Sequence, residues 1–187
     1  MQFHSQFSED RWIVEHLALP TKGYYVDVGA YDGFASSNTL CFEAMGWDGV
    51  LFEPLYDKAL ACKDFRRGKT IHSAVGSYNC LRPFHLHPTD PGQSGFLAVG
   101  EPEMVPCVTL TAALNSLKVQ QINLMSIDTE GTELEVWRGR GIFNPDILII
   151  EYLQWGKPPN DKEIVGQLTE DGYSLVHRTE ANLIFTR

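Results

Sequence analysis

Polar residues that could do chemistry lie mostly in four places in this chain, each at the end of an apolar run. The first is Asp27-Val28-Gly29-Ala30-Tyr31-Asp32-Gly33. Gly29 allows a tight turn and Gly33 a close approach of backbone to a ligand, while Asp27 and Asp32 put anions beside the turn. A pyrophosphate needs bare amides without anions, and the spacing is not the Gly-x-Gly-x-x-Gly of dinucleotide sites. Paired carboxylates suit instead a ligand that carries an amine; the alternative is a plain turn between strand and helix. The second place is Glu53, followed by Pro54, 20 residues after Gly33. An acid at that distance, at the end of a second strand, is set to accept hydrogen bonds from ribose hydroxyls. The third is Ser73-Ala74-Val75-Gly76, whose small side chains leave room for a flat ring such as adenine.

The fourth is Asp128-Thr129-Glu130-Gly131, together with Glu151. Side chains alternate along an extended segment, so Asp128 and Glu130 are expected to point the same way. Glu151 ends what reads as the neighbouring strand, about 5 Å to the side. Three converging carboxylates raise at least one pKa, which suits a general base taking a proton from a hydroxyl. The same set suits a hard divalent cation, or simple capping of the sheet end. Elsewhere, Ser5 to Asp10 reads as a helix start with Ser8 as N-cap and acids in the first turn, or as a segment lying over the site. The basic stretch Lys63 to Lys69 reads as the cationic end of a helix. His85 and His87 would face one way on a strand but lack an evident third ligand, so no metal is assigned to them. Tyr31, Phe34, Tyr152 and Trp155 lie near strand ends, in the core or along a pocket.

The elements that must position these residues alternate in type. Helices are expected over 7–18, from Ser36-Ser37-Asn38 to Gly46, and over 56–66, 110–117, 134–138 and 162–170. Strands are expected over 23–28, 49–53, 70–75, 122–128 and 146–151, the last apolar throughout and so buried on both faces. Residues 80–109 break the alternation as an inserted β excursion, with strands over 81–87 and 105–109 around a turn-rich middle. Residues 173–177 and 182–186 are too close in sequence for a helical crossover, so they must pair antiparallel. This predicts an α/β fold of Rossmann-like methyltransferase type: a mostly parallel seven-stranded sheet, helices on both faces, and a C-terminal antiparallel hairpin. The expected organisation is one domain over 1–187, with 1–20 as an N-terminal helix or lid.

Size and composition agree. The chain has 187 residues and 43% hydrophobic residues, enough for one globular core. A net charge of -9 repels phosphate backbones and makes a nucleic-acid partner an unfavourable expectation. The four cysteines form no Cys-x-x-Cys pair and read as reduced packing residues. No apolar run approaches the length of a membrane span, and the polar start lacks the pattern of a signal peptide, so a cytoplasmic location is expected.

Several segments resemble the FkbM family of methyltransferases: Ser-Gln-Phe-Ser-Glu-Asp at 5–10, Val-Asp-Val-Gly-Ala-Tyr-Asp-Gly at 26–33, Ser-Asn-Thr at 37–39, Gly-Trp-Asp-Gly-Val-Leu-Phe-Glu-Pro at 46–54, Ser-Ile-Asp-Thr-Glu-Gly-Thr-Glu-Leu-Glu-Val at 126–136 and Ile-Leu-Ile-Ile-Glu-Tyr at 147–152. They are collinear over nearly the whole chain. The resemblance implies S-adenosylmethionine (SAM) as cofactor and O-methylation of a sugar, glycan or secondary-metabolite hydroxyl. It implies a cofactor site around Asp27, Gly29 and Glu53 and a reacting end at Asp128, Glu130 and Glu151. With the neighbours in the matched segments, and with the small residues Ala74 and Val75 read above as room for a ring, the expected cofactor set is Asp27, Gly29, Ala30, Tyr31, Asp32, Gly33, Ser37, Asn38, Glu53, Pro54, Ala74, Val75 and Asp128. Two positions depart from the family pattern: Tyr31, where Asn is common, and Ser8, where Gly is common. A metal-assisted methyltransferase using the same carboxylates and a non-catalytic module that keeps the fold are the alternatives.

Overall fold

The computed structural model describes residues 1–98, 100–153 and 158–187. Its main sheet has seven strands: β1 (Tyr24–Val28), β2 (Asp48–Glu53), β3 (Lys69–His72), β7 (Leu124–Ile127), β8 (Ile147–Glu151), β9 (Ser174–Arg178) and β10 (Asn182–Thr186). Their order is β3-β2-β1-β7-β8-β10-β9. β3, β2, β1, β7 and β8 run parallel, whereas β10 is antiparallel to both β8 and β9. The chain thus winds outward from β1 to β3, then returns across β1 to build the other half. The switch point lies between β1 and β7, and their carboxyl ends are where an open α/β sheet binds ligands.

Alternation along each strand divides the core into two layers. Val26, Val28, Met125, Ile127, Leu148 and Ile150 face α4 (Leu110–Ser116), α5 (Glu133–Arg138) and α6 (Asp161–Glu170), packing on Leu110, Leu114, Trp137, Ile164 and Leu168. Tyr25, Leu51, Leu124, Ile149 and Ile184 face α1 (Glu9–His16), α2 (Leu40–Ala44) and α3 (Tyr56–Phe65), packing on Ile13, Phe42 and Cys62. By the same alternation Asp27, Ser126, Glu151 and Asn182 belong to the second layer. They form a polar row where apolar packing gives way at the sheet end.

A second sheet holds β4 (Ala74–Val75), β5 (Cys80–Leu86) and β6 (Glu101–Val108), in the order β4-β6-β5. The strand expected over 70–75 therefore divides. Its first part pairs with β2 until the Ser73 amide donates to the Glu53 carbonyl at 3.1 Å. The Ser73 hydroxyl donates to the carbonyls of Ala74 and Pro106, and Ala74–Val75 then pairs with Cys107–Val108. The inserted excursion is a full hairpin, in register from Cys80↔Cys107 to Leu86↔Glu101. All four cysteines are unpaired. Among the described residues no helix is long and apolar enough to cross a membrane.

Candidate active site

A cavity of about 330 Å³ opens at the switch point, large enough for one small molecule. Its floor is the carboxyl edge of β1, β2 and β7; its other walls come from Ala35–Asn38, Ala74–Val75, the excursion residues Phe84, Asp90–Ser94 and Phe96, and Gln6 from the N-terminal segment. Of the residues expected at the cofactor, Asp27, Gly29, Ala30, Tyr31, Ser37, Asn38, Glu53, Pro54, Ala74, Val75 and Asp128 line it. Asp32 and Gly33 do not line it. The Asp32 carboxylate instead accepts the amides of Phe34 and Ala35 at 2.9 and 2.8 Å, holding the turn. Gly33 (φ +76) leaves space for Arg66, whose Cγ would lie 2.8 Å from a Cβ there. Gly29 (φ +84) is constrained directly: a Cβ would overlap the Asp128 carbonyl oxygen, because β1 and β7 meet at that point.

Arg66 stands at a helix end, as the basic stretch suggested, but its side chain is fully buried. It leaves the end of α3 and runs under the glycine loop, where the loop's carbonyl, two hydroxyls and two acids surround its guanidinium. Its guanidinium donates to the Gly33 carbonyl at 3.0 Å, to the Ser37 hydroxyl at 3.2 Å and to the Thr39 hydroxyl at 2.9 Å, and pairs with Asp27 and Glu43. Thr39 in turn donates to Asp27 at 2.5 Å. Ser37, placed by sequence at the start of α2, accepts the Leu40 amide at 3.2 Å. Burial still raises the Asp27 pKa, although Arg66 and Thr39 oppose it.

Glu53 accepts the amides of Tyr31 and Leu55, each at 2.8 Å. Burial, partly offset by those amides, pushes its pKa up to about 8. The carboxylate is thereby locked at the cavity wall. Tyr31 has φ 51 and Ser8 has φ 66, the left-handed region that Gly and Asn tolerate best. Both departures from the family pattern thus fall at positions of unfavourable backbone.

At the other end, one oxygen each from Asp128, Glu130 and Glu151 lies within 4.8 Å of the others. The convergence has a different cause from the one expected. The segment after Ile127 is not extended: Glu130 has φ 55 and Gly131 φ 114, so a turn, not strand alternation, brings Glu130 back. Glu133 organises that turn, accepting the Thr129 amide and hydroxyl at 3.1 Å and the Gly131 amide at 2.8 Å. Burial, then the charge of Glu133, raises the Asp128 pKa; burial, then Asp128, raises that of Glu151. Glu151 itself lies beside the cavity, not on its wall.

The N-terminal acids are not solvated first-turn charges. Glu9 and Asp10 are buried, and Ser8 makes no side-chain cap. Glu9 accepts from Thr179 and Asn182, while Asp10 accepts the amides of His4 and Ser5. They fasten the segment that carries Gln6 to the cavity. Phe34 is exposed and Tyr152 stacks under Arg178; Phe84 and Phe96 of the excursion supply pocket aromatics instead, and Trp155 lies outside the described residues. His85 and His87 serve the excursion's own turns. Sequence reasoning missed Arg66, Glu133 and Asn182. Only Asn182 carried a usable signal, since hairpin register places it opposite Glu151.

Comparison with known proteins agrees with this geometry. The family profile described as Methyltransferase FkbM domain matches residues 27–175. Among solved structures, a chain of the fibrillarin/Nop5p complex is similar over 98% of this chain and 81% of its own, with a TM-score of 0.55 and 11% identity. A TehB-like SAM-dependent methyltransferase from Corynebacterium glutamicum ATCC 13032 Kitasato is similar over 98% and 89%, with a TM-score of 0.51 and 12% identity. At these identities the likeness is one of fold. No curated protein matches the sequence.

Proposed function

The chain belongs to the FkbM methyltransferase family, and we propose that it uses SAM to methylate a hydroxyl of a sugar, glycan or secondary metabolite. The observation that carries this reading is the switch-point cavity, with Glu53 locked on one wall and the polar row of Asp27, Ser126 and Asp128 along its floor. The residues present fit a cationic nucleoside. Glu53 is held with two backbone donors and turned to the cavity, as a ribose diol requires. Ala74 and Val75 give a small apolar wall for a purine. Asn38 donates to Ser126 at 3.1 Å and keeps its Oδ1 buried without a partner, an acceptor for a bound amine or hydroxyl.

When bound, SAM supplies a methyl group on a positively charged sulfur. Gly29 and Ala30, Ser37 and Asn38, Glu53 and Pro54, and Ala74 and Val75 hold the cofactor in this reading. Asp32 and Gly33 act from behind by fixing the loop and Arg66. Asp128 and Glu130 on the cavity wall, with Glu151 beside it, would face the reacting end, where one of these carboxylates would accept the hydroxyl proton of the acceptor. Fixing acceptor and methyl in line supplies about 7 kcal/mol of the barrier in good cases. Gln6, Gln93 and Ser94 offer neutral hydrogen-bonding groups for a polyhydroxylated acceptor.

The test is transfer of labelled methyl from SAM to a panel of glycans and metabolite extracts. The reading expects label in an ether that survives mild base. SAM binding without transfer to any acceptor would favour a non-catalytic module with the same fold.

A further inference from the structure

We infer that Asp128, Glu130 and Glu151 form a binding site for one hard divalent cation beside the cavity. Carboxylate oxygens up to 4.8 Å apart match ligands facing each other across an ion at about 2.4 Å each, within the calcium range. A magnesium ion, with bonds of about 2.1 Å, fits once the carboxylates close in by a few tenths of an ångström each. All three side chains present hard oxygen donors, the type such ions select.

A second observation comes from the neighbouring strand. Asn182 opens β10 directly across from Glu151, so both side chains lie on the same face of the sheet. Its amide nitrogen donates to Glu9 at 2.9 Å. That bond fixes the orientation of the amide, since a carboxylate can only accept. The Asn182 Oδ1 is left without a partner although the residue is 6% exposed. Glu151, 8% exposed, likewise has an unpartnered oxygen, Oε2. A buried acceptor left unmet costs about 1–3 kcal/mol, more when charged. Here an amide oxygen and a carboxyl oxygen on paired strands are left so, next to Asp128. Among the described residues no Lys or Arg pairs with Asp128, Glu133 or Glu151. A cation held by these carboxylates reaches both oxygens at once.

The inference does not rest on methyl transfer, because ion binding is read on the protein alone. The experiment strips the purified chain with chelator and titrates it with calcium chloride, and separately magnesium chloride, by calorimetry and thermal melting. The inference expects saturable binding of either ion at one site, with a matching rise in melting temperature. Glu151→Gln and Asp128→Asn each weaken it at least about 10-fold, a usual loss when a metal site loses a supporting group, and Asp48→Asn on the exposed end of β2 leaves it unchanged. Melting of each ion-free variant reports folding, and both amides are expected to melt no lower than the parent because they relieve like-charge crowding. If neither ion binds, the cluster holds only a proton and the inference is overturned. Binding that persists undiminished in both amide variants overturns it equally, by placing the ion elsewhere.

Discussion

Asp27 and Glu53 at the ends of β1 and β2 are buried carboxylates, and so are Glu133 and Glu151 beside the ends of β7 and β8. The first pair is met from within: Asp27 by Arg66 and Thr39, Glu53 by two backbone amides. The second pair keeps two oxygens, Glu133 Oε2 and Glu151 Oε2, with no hydrogen-bond partner. One half of the cavity is thus a scaffold whose carboxylates already have hydrogen-bond or ion-pair partners before any ligand arrives. In the other half, crowding and burial raise the pKa values of Asp128 and Glu151 and leave two carboxyl oxygens unmet. In the proposed reading, binding precision belongs to the first region and chemistry to the second.

Substitutions should separate the two regions by sign. The largest effect is expected from Arg66→Met, which leaves Asp27 and Glu43 buried without their cation. Breaking a buried pair from one side costs about 3–5 kcal/mol, read as a lower denaturation midpoint in urea. Gly29→Ala follows, at about 2 kcal/mol or more, since a Cβ meets the Asp128 carbonyl and the backbone is left-handed. In the second region the sign reverses. Glu151→Gln should raise stability at neutral pH by about 1 kcal/mol, the worth of less than one unit of relieved pKa. A loss there instead would mean that Glu151 is already compensated, and the contrast between the regions would be gone.

Stability should also follow pH in a definite direction. Glu53 is raised from 4.5 to about 8, so the folded state holds its proton more tightly than the unfolded chain. Its contribution is complete below pH 4.5 and is lost as pH rises to about 8. Melting of the ligand-free protein should therefore fall across that window, and Glu53→Gln should flatten the fall. An equally steep fall in the variant would place the titrating proton elsewhere. The smallest effects are expected at the two left-handed residues. Tyr31→Asn and Ser8→Gly should each gain about 0.5–1 kcal/mol in chemical denaturation, because Asn and Gly accept positive φ more readily.

The strands and the closing antiparallel pair were readable because apolar runs and hairpin spacing are local signals. The division at Ser73 was not, since it depends on hydrogen bonds to Glu53 and Pro106 far away in sequence. The site was legible in its wall residues, where glycine and small-residue patterns repeat a known family. Arg66 was hidden because an arginine after a helix reads as surface charge, and nothing in its neighbourhood says that the loop above will bury it. Glu133 was hidden because its partners are amides of a turn whose shape follows from positive φ at Glu130 and Gly131. Convergence of Asp128 and Glu130 was expected on strand alternation and arises from that turn instead.

Calorimetric titration of the purified protein with SAM tests the central claim most directly, with Glu53→Gln beside it. The account predicts one bound cofactor per chain, with affinity about 10- to 100-fold weaker in the variant, the worth of a hydrogen bond to a charged group. No binding to the parent protein, or equal binding to both, would contradict it.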